Sequence, residues 1–74
     1  MNMIKVESSN IDAIGYDHGD LYVRFKGGEG KNNRIYVYYD VPEHFFKEIL
    51  EAESKGKYLN QNIKGKFTYR KTEG

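Results

Sequence analysis

Cysteine and tryptophan are absent from this chain, and proline occurs once. Without cysteine there is neither a disulfide framework nor a thiolate metal site. No apolar run approaches the ~18 residues that cross a bilayer. The opening Met1-Asn2-Met3-Ile4-Lys5 lacks the apolar centre of a secretory signal, so a cytoplasmic location is the expectation. Charge of one sign is also missing, since the net formal charge is only +1. What the chain does have is tyrosine, seven of them among 74 residues. Packing alone must hold so short a chain together, and the aromatics are its main resource. One domain over residues 1–74 is expected, with its core at about residues 6–70.

The small net charge hides an asymmetry. Residues 1–55 carry seven basic and ten acidic side chains, whereas residues 56–74 carry five basic ones against Glu73 alone. A basic final quarter on a mildly acidic body suits a polyanion contact. It suits equally well a tail that complements the body's own acidic helix.

Strand periodicity begins at Ala13-Ile14-Gly15-Tyr16 and resumes at Leu21-Tyr22-Val23-Arg24-Phe25. The His18-Gly19 pair between them predicts a two-residue hairpin turn. That turn pairs Asp17 with Asp20, Tyr16 with Leu21, Gly15 with Tyr22 and Ile14 with Val23. Ser8-Ser9, just upstream, are suited to satisfying turn backbone groups. Lys26–Asn33 holds three glycines and two asparagines in eight residues, which predicts a loose exposed connection. It lacks the Gly-Lys-Ser/Thr ending of a P-loop and the spacing of a dinucleotide fingerprint. Arg34–Tyr39 alternates again, with Ile35, Val37 and Tyr39 on one face and Arg34, Tyr36 and Tyr38 on the other.

Asp40-Val41-Pro42-Glu43 opens a helix with proline at its first position. Phe45, Phe46, Ile49, Leu50 and Ala52 fall within an arc of about 160°, wide enough to cover one face of a small sheet. Glu43–Lys47 and Glu51–Lys55 are i,i+4 pairs in the favourable order, and Gly56 is expected to end the helix in a left-handed cap. Tyr58–Ile63 reads as a turn or short second helix, and Lys66–Arg70 as a last strand with Phe67 and Tyr69 on one face. The predicted fold is α+β: a three-stranded antiparallel meander plus a C-terminal strand, covered by one amphipathic helix and a short second helix or turn.

Catalytic options are thin. His18 and His44 fall in a turn and on the polar face of the helix, without ligand spacing, so no metal is expected. Ser8, Ser9 and Ser54 lie in no activating motif, and the carboxylates are scattered. A non-enzymatic, cofactor-free domain is expected. The tyrosines say more. Tyr22, Arg24, Arg34, Tyr36 and Tyr38 are assigned to the sheet face away from the aliphatic set, over Ala13 and Gly15. Aromatic rings with guanidinium groups are what base stacking and phosphate neutralisation require. Lys64, Lys66 and Arg70 would add phosphate contacts, and Tyr69 a further ring. The competing reading folds the last strand over this face, making the tyrosines a second core in a barrel-like domain.

The stretch Ser54-Lys55-Gly56-Lys57-Tyr58-Leu59-Asn60-Gln61-Asn62-Ile63 carries a resemblance. With Val6–Ile11, Ile14-Gly15-Tyr16-Asp17, the Tyr36-Val37-Tyr38 pair and Asp40-Val41-Pro42, it resembles the KTSC family, from about Val6 to Tyr69. That family is named from the C-terminus of some lysyl-tRNA synthetases and also occurs as small stand-alone proteins in bacteria and phages. The resemblance implies no catalytic activity. RNA binding is suggested for the family by where the domain is appended, and its Tyr-x-Tyr signature falls on Tyr36 and Tyr38. The Lys26–Asn33 connection departs from the family by being longer and richer in glycine. Two functions therefore stand: weak, sequence-tolerant RNA binding, or a protein-interaction module, phage- or prophage-encoded, using the same face or the glycine loop. Neither involves a membrane.

Overall fold

The computed structural model describes residues 3–27 and 34–73. The loop read over Lys26–Asn33 therefore lies, after Gly27, outside the described residues. The elements are β1 (Met3–Lys5), β2 (Ile11–Asp17), β3 (Asp20–Phe25), β4 (Arg34–Tyr38), α1 (Glu43–Glu51), α2 (Lys55–Asn62) and β5 (Tyr69–Glu73). The strands form one antiparallel sheet in chain order, with β1 and β5 at its edges. The architecture is α+β, and the sheet is open rather than closed into a barrel. Strand β1 was not anticipated, because three residues are too few to show a period.

The hairpin forms as its turn residues dictate. His18 and Gly19 both take positive φ, 50° and 85°, the geometry whose twist matches that of the flanking strands. The register is Asp17↔Asp20, Tyr16↔Leu21, Gly15↔Tyr22 and Ile14↔Val23, as read from the sequence. Asp12 bulges between Ile11 and Ala13. Ser8 accepts from the Asn10 and Ile11 backbone amides and satisfies the turn before β2.

The faces of β4 are the reverse of the sequence reading. Tyr38 lies opposite Leu21 and Tyr36 opposite Val23, so both tyrosines share the helix-covered face. Ile35 and Val37 instead share the other face with Arg24 and Tyr22. Sorting by hydropathy put the aliphatics inward. Ring area decides otherwise, because an inward tyrosine buries far more apolar surface than a valine. Tyr38 is 2% exposed and belongs to the core with Ile11, Ile14, Leu21, Val23, Val41, Ile49, Leu59 and Ile63.

The helices differ from expectation at their ends. Pro42 is the N-cap of α1, one position before its first helical residue. Helix α1 ends at Glu51, with Ala52 extended, and Ser54 starts a second helix by accepting from the Lys57 amide at 3.3 Å. Gly56 is thus inside α2 and is no left-handed cap, and Glu51 and Lys55 stand in different helices. The glycine that reverses the chain is Gly65, at φ 82°, beyond an α2 end closed by Lys64 N–H on the Leu59 carbonyl. A local motif cannot distinguish these two glycines, since a strong N-cap two residues upstream reassigns the first. Pairing of the last strand begins late for a similar reason. Phe67 precedes β5 and packs edge-on against Phe45, at 5.6 Å between centroids, leaving Tyr69 to pair with Tyr38.

Within α1, Ile49 is fully buried, while Phe45, Phe46 and Leu50 pack around the core margin. Phe46 stacks on Tyr16 at 5.4 Å, and the Tyr16 hydroxyl donates to the Val41 carbonyl. Helix α1 does not pack on Ile35 and Val37, because both point to the other face.

Candidate nucleic-acid interface

A cleft lies between α2 and the sheet, running along β4 from Arg34 to Tyr38 with Phe25 of β3 at one end and Tyr69 of β5 at the other. The cleft has a volume of about 560 Å³ and is lined by Asn10, Phe25, Lys26, Arg34, Tyr36, Tyr38, Gly56, Leu59, Asn60, Lys64 and Tyr69. Five of the sequence candidates meet there: Arg34, Tyr36, Tyr38, Lys64 and Tyr69. The other four do not. Tyr22, Arg24 and Arg70 lie on the opposite face by register, and Lys66 is exposed in the turn after α2. Arg24 is moreover engaged, its Nε donating to the Asp12 carboxylate at 2.8 Å.

The pleat explains which tyrosines gather. Tyr36 and Tyr38, two apart on β4, stack at 6.4 Å between centroids, close to the spacing of alternate strand residues. Tyr69, from the neighbouring edge strand, stacks on Tyr36 at 5.7 Å and leans on Tyr38 at 5.8 Å. Phe25 meets Tyr36 edge-on at 5.2 Å. Tyr38 is the floor of this cluster and Tyr69, 55% exposed, its outer member.

Burial pushes the Tyr38 phenol up to about 12, and the neighbouring Tyr36 and Tyr69 phenols add to the shift. Tyr58 is likewise pushed up to about 12, by burial first and then by its hydrogen bond and proximity to the Glu48 carboxylate. A phenol whose folded pKa is raised stabilises the fold fully below its unfolded value, near 10, and loses that stabilisation as pH rises through the folded one. Melting temperature should therefore fall steeply between about pH 10 and pH 12. Tyr38→Phe keeps the ring and removes one of the titrating groups, so its alkaline loss should be shallower. Circular-dichroism melts across that range check this; identical profiles for the two proteins would contradict it.

The charge of the lining is one-sided. Lys26, Arg34 and Lys64 are all exposed, and no carboxylate stands among the lining residues. The ion pairs among the described residues are Lys5–Asp12, Asp17–His18 and Arg24–Asp12, none of which involves these three cations. Asn10 and Asn60 supply amide donors and acceptors at the rim. Among the described residues, no three His, Cys, Asp or Glu side chains gather where a metal would sit. No helix among the described residues is long and apolar enough to cross a membrane. The sequence reading missed Asn10, Phe25, Lys26, Gly56, Leu59 and Asn60. Only the placement of α2 beside the sheet joins them, and no local pattern encodes that placement.

Comparison with known proteins agrees with this architecture. The chain is 43% identical over 67 residues to a protein of Tsukamurella paurometabola, covering 88% of this chain and 92% of the relative. It is 33% identical over 66 residues to an uncharacterised protein of Stutzerimonas stutzeri, covering 86% of each. The crystal structure of a KTSC domain protein from Yersinia pestis superposes with a TM-score of 0.83 at 37% identity, covering 96% of both chains. The model of the KTSC domain family matches residues 7–67. This chain belongs to the KTSC domain family.

Proposed function

We propose that this KTSC domain binds single-stranded RNA weakly and with little regard to sequence, without performing a chemical step. One observation carries the reading: a tyrosine-walled cleft lined by three cations outside any described ion pair and by no acid. Rings accept any base by stacking, and exposed cations accept the phosphates between bases. The interface is the cleft face and not the Tyr22–Arg24 face. Arg24 is held by Asp12, and Arg70 stands apart from the cleft.

Binding by such a site is electrostatic and must weaken with salt. Each phosphate contact on a single strand contributes about 0.7 to the slope of log K against log salt. Lys64→Ala should lower that slope by about 0.7, one contact's worth, while Arg70→Ala, on the opposite face, should leave it unchanged. Fluorescence anisotropy with a labelled oligouridylate over a range of salt concentrations measures both. A protein that binds no oligonucleotide even at low salt is not an RNA binder, and a protein-interaction role then takes precedence.

A further inference from the structure

Gly56 is the second residue of α2 and part of the cleft lining. Neither backbone nor packing requires a glycine there. The described glycines with positive φ are Gly19 and Gly65, so Gly56 has a conformation open to any L residue. A Cβ built on it would meet the Asn10 side-chain nitrogen at 3.7 Å as its nearest described neighbour, an ordinary van der Waals contact. Glycine is moreover the poorest helix former after proline, because it gives up the most backbone freedom. The fold alone would be better served by alanine.

What an alanine would change is the cleft. A methyl group at residue 56 would stand beside Asn10, another lining residue of a space about 560 Å³ in volume, within the range of small-ligand sites. Glycine is the residue that lets a ligand approach a helix backbone closely. We propose that Gly56 is the point of close approach for the bound strand. The sugar–phosphate backbone of one nucleotide runs against α2 here, its base turned to the tyrosine wall and its phosphate held by the cleft cations. This assignment rests on the RNA-binding reading and makes that reading specific about where the strand passes.

The test is Gly56→Ala, measured for melting temperature and for binding of a labelled oligouridylate at low salt. The variant should melt at or above the wild-type temperature. Its affinity should fall about tenfold or more, the scale of one methyl group intruding on a close contact. A folded variant that binds as wild type does overturns the assignment and leaves the RNA reading intact. A variant that fails to fold overturns it too, because the glycine would then serve the fold. A wild type that binds no oligonucleotide removes the RNA reading, and this assignment with it.

Discussion

Ile49→Ala is expected to cost about 2–5 kcal/mol of stability, the range for truncating a large aliphatic side chain in a closed core. Ile49 is 0% exposed and is the only residue of α1 inside the central cluster, where it joins Ile11, Ile14, Leu21, Val23 and Tyr38 from the sheet. Its loss leaves a cavity between two layers that have little freedom to close over it. The sheet is fixed by its ladders, and α1 is tied at both ends. Ahead of α1, Val41 bonds to Gly19 through the backbone and accepts from the Tyr16 hydroxyl. Beyond it, the Tyr58 hydroxyl donates to Glu48 at 2.6 Å. A chain of this length has about 4–11 kcal/mol of stability in all, so the variant should lose a large share of its folded population at growth temperature. Leu50, beside it on the same helix, is only partly buried, and Leu50→Ala should cost less. Chemical denaturation of the two variants orders them. An Ile49→Ala loss below that of Leu50→Ala would mean that α1 is rotated relative to this description.

How far the sequence carried can be seen strand by strand. The β2–β3 hairpin was legible down to its register, because a two-residue turn and two alternating runs leave a single in-phase pairing. Strand β4 was legible as a strand but not as a face. It is separated from β3 by a long glycine-rich connection, and a connection of that length does not transmit register. With phase open, hydropathy sorted Ile35 and Val37 inward and the tyrosines outward, where pairing with Leu21 and Val23 does the opposite. Half of the site followed from that error and half survived it. Arg34, Tyr36 and Tyr38 stayed together because residues alternating on one strand share a face whichever face it is. Tyr22 and Arg24 separated from them because they sit on another strand and in the other phase. Gly56 shows a different limit. Its neighbours in sequence favour a helix end after Lys55, yet Ser54 caps a new helix and Gly65 terminates it. Competition between two local signals is settled by what the second helix and its C-cap bury, namely Leu59 and Ile63.

Tyr69→Ala should weaken oligonucleotide binding while leaving the fold nearly as stable as before. Tyr69 stands on the edge strand β5, 55% exposed, with one side of its ring against Tyr36 and Tyr38. It also lines the cleft and is the most exposed ring of the cluster, so it is the ring best placed to take a base. Base–aromatic stacking contributes about 1–3 kcal/mol, which predicts an affinity loss of about five- to 150-fold, with similar losses for different base compositions. Removing an exposed ring from an edge strand should cost the fold about 1 kcal/mol or less. Tyr36→Ala is the necessary contrast. Tyr36 is half-buried and touches Phe25, Tyr38 and Tyr69 at once, so its truncation should lower both melting temperature and affinity. Tyr69→Phe preserves the ring and should preserve binding, since stacking uses the face and not the hydroxyl. Anisotropy titrations paired with thermal melts on the three variants separate the contributions. If the wild type binds and Tyr69→Ala binds equally well, the strand does not stack on the outer ring, and the tyrosine cluster serves the core alone.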